Sequence, residues 1–231
     1  MNRPATARTV RRMLVPASVT VFLAGLLLSA VLYYADKPVD LKRAVISNLA
    51  RPTDNPRGYL AAAAGMALGA LLLLPAALWF FRVLRCIHTG AATAGLALFG
   101  AGLAGEIFIG VMSPFQDAYS DIHIYVAYAT FVLMTAGILV WLAILAFAQR
   151  YTGRGRRLLA AFIVQVCIAF FLLYLTVSMI FPFGPDFFDD KTFFRSAALC
   201  EWVLCAGNIA YLFILAAAVD GVASSAILRK Q

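Results

Sequence analysis

The chain has 231 residues, 63% of them hydrophobic and only 13% charged, with a mean hydropathy of +0.88. Soluble domains average roughly 45–50% apolar and 25% charged residues, so a water-soluble globular protein is excluded and an integral membrane protein is expected. The formal charge of +8 gives no signal for nucleic acid, because the basic residues sit in short connections between apolar runs, where they set orientation in a bilayer.

Apolar runs recur at about 13–35, 59–81, 91–112, 122–148, 157–181 and 196–219. Each is near or above the ~20 residues a helix needs to cross the hydrocarbon. The expected fold class is all-α, a polytopic transmembrane bundle of six helices whose backbone polar groups at depth are paired within each helix. The spans use most of the chain, so residues 1–231 are expected to form a single integral membrane domain. With the N-terminus cytoplasmic, the inner connections carry twelve basic residues and the outer ones seven, with eight of the acids outside. That bias puts both termini in the cytoplasm. The arginine-rich start resembles a signal peptide, but the first run is longer than the usual 7–15-residue core and has no clear cleavage site, so a retained helix is expected. None of the four cysteines lies in an outer loop, so neither a disulfide framework nor a thiolate metal site is expected.

Taken in order, the first span ends on Tyr33 and Tyr34, residues that favour the membrane interface. The outer loop after it contains Pro52, Asn55, Pro56 and Gly58, turn chemistry that suits either a functional loop or a solvated linker. Gly65 and Gly69 in the second span have the small-xxx-small spacing of close helix contact, and Pro75 is a candidate kink. His88 in the following short loop is assigned nothing. The third span carries Gly95, Gly100, Gly102, Gly105 and Gly110, and among them Glu106, about six residues before its outer end. At 1.5 Å per residue that is roughly 9 Å inside the last turn, an expensive place for a carboxylate. The loop beyond supplies Gln116 and Asp117, and His123 opens the fourth span with Thr130 further along its face. The fifth span holds Gln165 and leads into a phenylalanine-rich acidic segment suited to the interface. In the sixth, Glu201, Cys205 and Asn208 form one polar stripe at i, i+4 and i+7. Glu106, His123 and Glu201 thus fall at one depth on three helices. For each acid the plainer reading is a buried group hydrogen-bonded to a neighbouring helix, and for His123 an interfacial cap or donor.

Ile46-Ser47-Asn48 before a proline-bearing loop, Phe115-Gln116 after the third span, the run His123, Ala127 and Phe131, and Glu201-Trp202 followed by Asn208 together resemble the FRAG/DRAM/Sfk family of six-helix membrane proteins. That family includes autophagy modulators, a factor in GPI-anchor lipid remodelling and proteins that help position a phosphoinositide kinase. The resemblance spans most of the chain on short motifs, and implies the six-helix fold and a role in lipid handling. Asn48 stands where the family's first loop typically reads aspartate, which removes the charge that any acid-dependent role there would need.

The expected function is binding, organising or regulating lipids through a polar site in the outer half of the bilayer, with Ser47, Asn48, Glu106, Gln116, Asp117, His123, Glu201 and Asn208 as candidate ligand-binding residues. Expected partners are membrane lipids, a membrane protein or a second copy of the chain. No cofactor or metal is expected, since no HExxH motif occurs and one candidate histidine cannot build the usual three-ligand zinc site. One alternative is a membrane-embedded hydrolase or acyltransferase, with His123 as base and Glu106 or Glu201 as its orienter. Another is a proton-coupled transporter using the buried acids as carriers. Hydropathy does not distinguish a plasma (bacterial inner) membrane from an endomembrane.

Overall fold

The structure, a computed structural model, describes residues 10–35, 37–38, 46–115, 120–149, 153–180 and 197–228. The described residues are all-helical. A π-helical turn, Val10–Leu14, leads into α1 (Val15–Tyr34), and a one-turn helix, Ile46–Leu49, interrupts the loop before α2 (Tyr59–Leu84). Then follow α3 (Thr89–Met112), α4 (Ser120–Ala148), α5 (Gly153–Ile180) and α6 (Ala197–Leu228). Five of these six long helices are long and apolar enough to cross a membrane: all except α5, whose last ten side chains lie outside the described residues. The sequence-based spans find every long helix, although α2 and α6 run several residues further than their apolar runs. α2 also continues as helix through Pro75.

Consecutive helices run up and down and pack most extensively as α3 on α4, α1 on α2, and α2 on α3. α6 lies across α4, α2 and α1 and closes the bundle. Glycines set the distance between the first pair. A Cβ on Gly25 of α1 would stand 2.5 Å from the Ala61 carbonyl oxygen and 2.6 Å from the Cα of Gly65, so the two backbones touch where the small-residue spacing predicts contact. Ser18 fixes the same seam by donating its hydroxyl to the Gly69 carbonyl at 2.7 Å.

The apolar core has two parts. The larger lies toward the end of the bundle where α2 turns into α3, and is built on Phe80, Phe99, Trp141, Leu142, Leu145 and Leu215, all fully buried. The smaller, around Leu26, Leu49, Met66 and Ile109, sits at the other end, under the loop that joins α1 to α2. Outward-facing leucines such as Leu27, Leu68, Leu71 and Leu78 are exposed, as a lipid-facing surface requires.

Candidate functional site

The described part of the loop between α1 and α2 is docked onto the bundle rather than solvated. Asn55, only 1% exposed, anchors it. Its Nδ2 donates to the Ser29 carbonyl (3.1 Å), the Ser29 hydroxyl (2.8 Å) and the Leu49 carbonyl (3.1 Å), while its Oδ1 accepts from the Gly58 N–H at 3.0 Å. The Ser29 hydroxyl in turn donates to Leu49 O at 2.8 Å. One buried amide thereby ties α1, the one-turn helix and the start of α2 together, answering backbone groups that hydrocarbon would leave unpaired. Further along, the Ser113 hydroxyl at the end of α3 donates to the Ala50 carbonyl. On the opposite side Glu201 of α6 accepts the Ile46 N–H on its Oε2 at 2.7 Å.

Beneath this cap lies a cleft enclosing about 390 Å³, its open mouth included. Glu106, His123 and Glu201 all line it, together with Ile46 and Ala50 from the cap and apolar residues including Phe22, Met66, Ile109 and Phe131. The three groups that the spans place at one depth therefore meet one space. Glu106 is 8% exposed and His123 6%, and Glu201 is half-buried and already engaged with the cap. Their approach stops short of ligation: among the described residues, no three His, Cys, Asp or Glu side chains could hold a metal ion. The cleft is thus an acceptor-rich pocket with hydrocarbon walls, suited to groups that donate hydrogen bonds.

A second polar layer lies deeper. Asn208 Oδ1 accepts from the Thr135 hydroxyl at 3.0 Å and from Gln165 Nε2 at 3.4 Å, joining α4, α5 and α6. The stripe of Glu201, Cys205 and Asn208 is real, but it serves two different depths: Glu201 faces the cap, whereas Cys205 and Asn208 line a further cleft below Glu106. Asn48 lies in the one-turn helix, half-buried, and lines neither cleft. Gln116, Asp117, the side chain of Ser47 and the phenylalanine-rich segment 181–195 lie outside the described residues.

The sequence reading missed Asn55, Ser29, Ser113 and Thr135. Ser29, Ser113 and Thr135 are lone polar residues in apolar surroundings and Asn55 is one of several polar residues in a turn-rich loop; the role of each depends on a partner distant in the chain. His88, left without a role, caps α3: its Nδ1 accepts from the Ala91 N–H at 3.1 Å.

Residues 16–218 match a family described as "Protein of unknown function (DUF998)". The chain belongs to this DUF998 family. The matched region begins in the first turn of α1 and ends within α6, so in this DUF998 protein it takes in the cap and every residue lining the two clefts. No curated protein and no solved structure matches the chain. The DUF998 chain is thus a helical protein of membrane type.

Proposed function

We propose that this DUF998 protein crosses the membrane six times with both termini cytoplasmic, and binds or organises lipid through the capped cleft, which then lies in the outer half of the bilayer. One observation carries the reading: Glu106, His123 and Glu201, from three different helices, line a single cleft beneath a docked loop. Buried ionisable groups cost free energy at such depth and persist where a function uses them. The membrane's own lipids are the most abundant molecules able to reach a cleft at that position. The resemblance to the FRAG/DRAM/Sfk family, itself part of this proposal, points to the same chemistry. Membrane lipids are then the primary partners, with a membrane protein or a second copy of the chain on the outward leucine faces.

Lipid extraction from the purified protein tests this directly. The wild-type chain should carry a lipid class enriched over the host membrane, and Glu106→Gln combined with Glu201→Gln should lose the enrichment while staying folded. Co-purified lipid that mirrors the bulk membrane in both proteins would overturn the reading.

A hydrolase or acyltransferase is the second reading, favoured by His123 sharing its cleft with two carboxylates. A histidine so placed can act as general base once a carboxylate orients it. It predicts acyl-ester turnover by the wild type that His123→Ala abolishes without loss of bound lipid. Equal turnover by the two proteins removes it.

A further inference from the structure

The deeper cleft is not explained by a headgroup site. It continues from the first past Glu106, Phe22 and Phe131, which line both, and runs between α1, α2, α4 and α6 with about 490 Å³ of empty space, its opening included. Most of its wall is apolar: Val19, Leu73, Met134 and Leu212 among others. Ser18 reaches it, but its hydroxyl is already given to Gly69. Asn208 differs. Its Oδ1 is used twice, by Thr135 and Gln165, yet its Nδ2, on a side chain 5% exposed, has no hydrogen-bond partner among the described residues. Turning the Asn208 and Gln165 amides over together would present Oδ1, an acceptor, at that edge; with the amides as placed, the open edge is the donor Nδ2.

A buried amide edge without a partner is costly, and native structures rarely leave one so. Water answers it poorly, because a buried water needs two to four polar partners and the surrounding wall is largely hydrocarbon. An acyl carbonyl answers it well: it supplies one acceptor, and the chain attached to it fills apolar space. Above it, Glu106 presents an acceptor to whatever the carbonyl is attached to. Among the described residues no lysine or arginine lines either cleft.

We propose that the deeper cleft holds the acyl chain of a small-headed ester or amide lipid, with Asn208 Nδ2 donating to its acyl carbonyl and Glu106 accepting from a hydroxyl or ammonium group of its head. The Glu106 contact rests on the lipid reading of the upper cleft. The Asn208 contact stands on the deeper cleft itself.

The test uses the full chain in nanodiscs of dioleoylphosphatidylcholine, a lipid whose head has no hydrogen-bond donor. Two probes carry a diazirine in the acyl chain, a monoacylglycerol and an N-(2-aminoethyl) acyl amide, which separate a hydroxyl head from an ammonium head. Irradiation should place adducts on Leu73, Met134 or Leu212. Asn208→Leu should lower labelling about fivefold, the worth of roughly one hydrogen bond. Leu212→Trp, which fills the cleft without touching a polar group, should abolish it in a protein that remains monodisperse and helical. Adducts confined to outward residues such as Leu27 and Leu71, or cleft labelling unchanged by Asn208→Leu, would overturn the proposal. A monoacylglycerol with O-methylated hydroxyls separates the two readings. Equal labelling by it and by the free-hydroxyl probe, together with equal labelling by the ammonium probe and its N-trimethylated form, removes the Glu106 contact and with it the headgroup site, whereas loss of the Asn208 effect alone removes only the deeper site.

Discussion

The two ends of the bundle are built on different principles. At the end where α2 turns into α3, Trp141 is fully buried between Phe80 and Phe99, with ring centroids 5.6 and 5.2 Å away, and its indole N–H donates to the Ala92 carbonyl at 3.3 Å. Gly95 leaves the space the indole occupies, and Gly137 does the same for Phe99. At the other end, beside the smaller apolar cluster, the buried polar groups include Ser29, Asn55, Glu106, Ser113 and His123, and hydrogen bonds from a loop take the place of aromatic packing. Shape complementarity fixes one end, and the other spends part of its stability on clefts lined by ionisable groups. That separation is what a site in a membrane protein requires: a rigid base, and a polar pocket kept away from it.

The sharpest way to break the comparison is at Trp141. Trp141→Ala should cost about 3–5 kcal/mol, the range for removing a large buried aromatic. It should lower the thermal midpoint in detergent strongly while leaving the lipid bound per folded molecule unchanged. A variant that stays stable but loses bound lipid would show that the two ends are not independent.

Asn55→Ala attacks the other end. It removes four hydrogen bonds, while Leu49 O keeps the Ser29 hydroxyl and the Gly58 N–H keeps the Asn55 backbone carbonyl at 3.2 Å, for an expected loss of about 1–3 kcal/mol. Its signature is local: hydrogen exchange should speed up across residues 46–58 and remain slow in α3 and α4 below the cap. Uniform acceleration along the whole chain would mean that the cap carries global stability. Glu201 gives a smaller and more selective effect. Glu201→Gln keeps an oxygen for the Ile46 N–H and should change stability little, whereas Glu201→Ala should cost about 1 kcal/mol, with faster exchange confined to the one-turn helix. If the two variants behave alike, the bond to Ile46 is not what holds the cap.

Much of this arrangement is visible in the sequence, and the remainder is hidden for physical reasons. Counting inward from the span ends gives the common depth of Glu106, His123 and Glu201, because rise per residue is fixed in a helix. Period alone shows that Cys205 and Asn208 share the Glu201 stripe. It does not show that Glu201 turns to a loop 155 residues away in the chain, since such a contact depends on tertiary packing. Asn55 reads as an ordinary turn residue in a proline- and glycine-rich loop, and only its burial reveals the anchor. Thr135 is one hydroxyl in an apolar run until Asn208 stands opposite it.

The finest contrast, between two glycines of one helix, refines the packing rule itself. Gly100 and Gly105 lie on the same helix, five residues apart, and composition treats them alike. A Cβ at Gly105 would collide with the side chain of Thr130 on α4, whereas one at Gly100 meets nothing within 4 Å. Gly105→Ala should therefore force the α3–α4 seam apart at a cost of about 1–3 kcal/mol. Gly100→Ala should be neutral or stabilising by up to about 1 kcal/mol, because alanine loses less backbone freedom in a helix. Thermal midpoints of the two variants in the same detergent decide the matter. Equal losses would mean that the helix answers to glycine content as such; opposite signs would mean that only glycines facing a neighbour set the spacing of α3 and α4, and so how far Glu106 on α3 stands from α4.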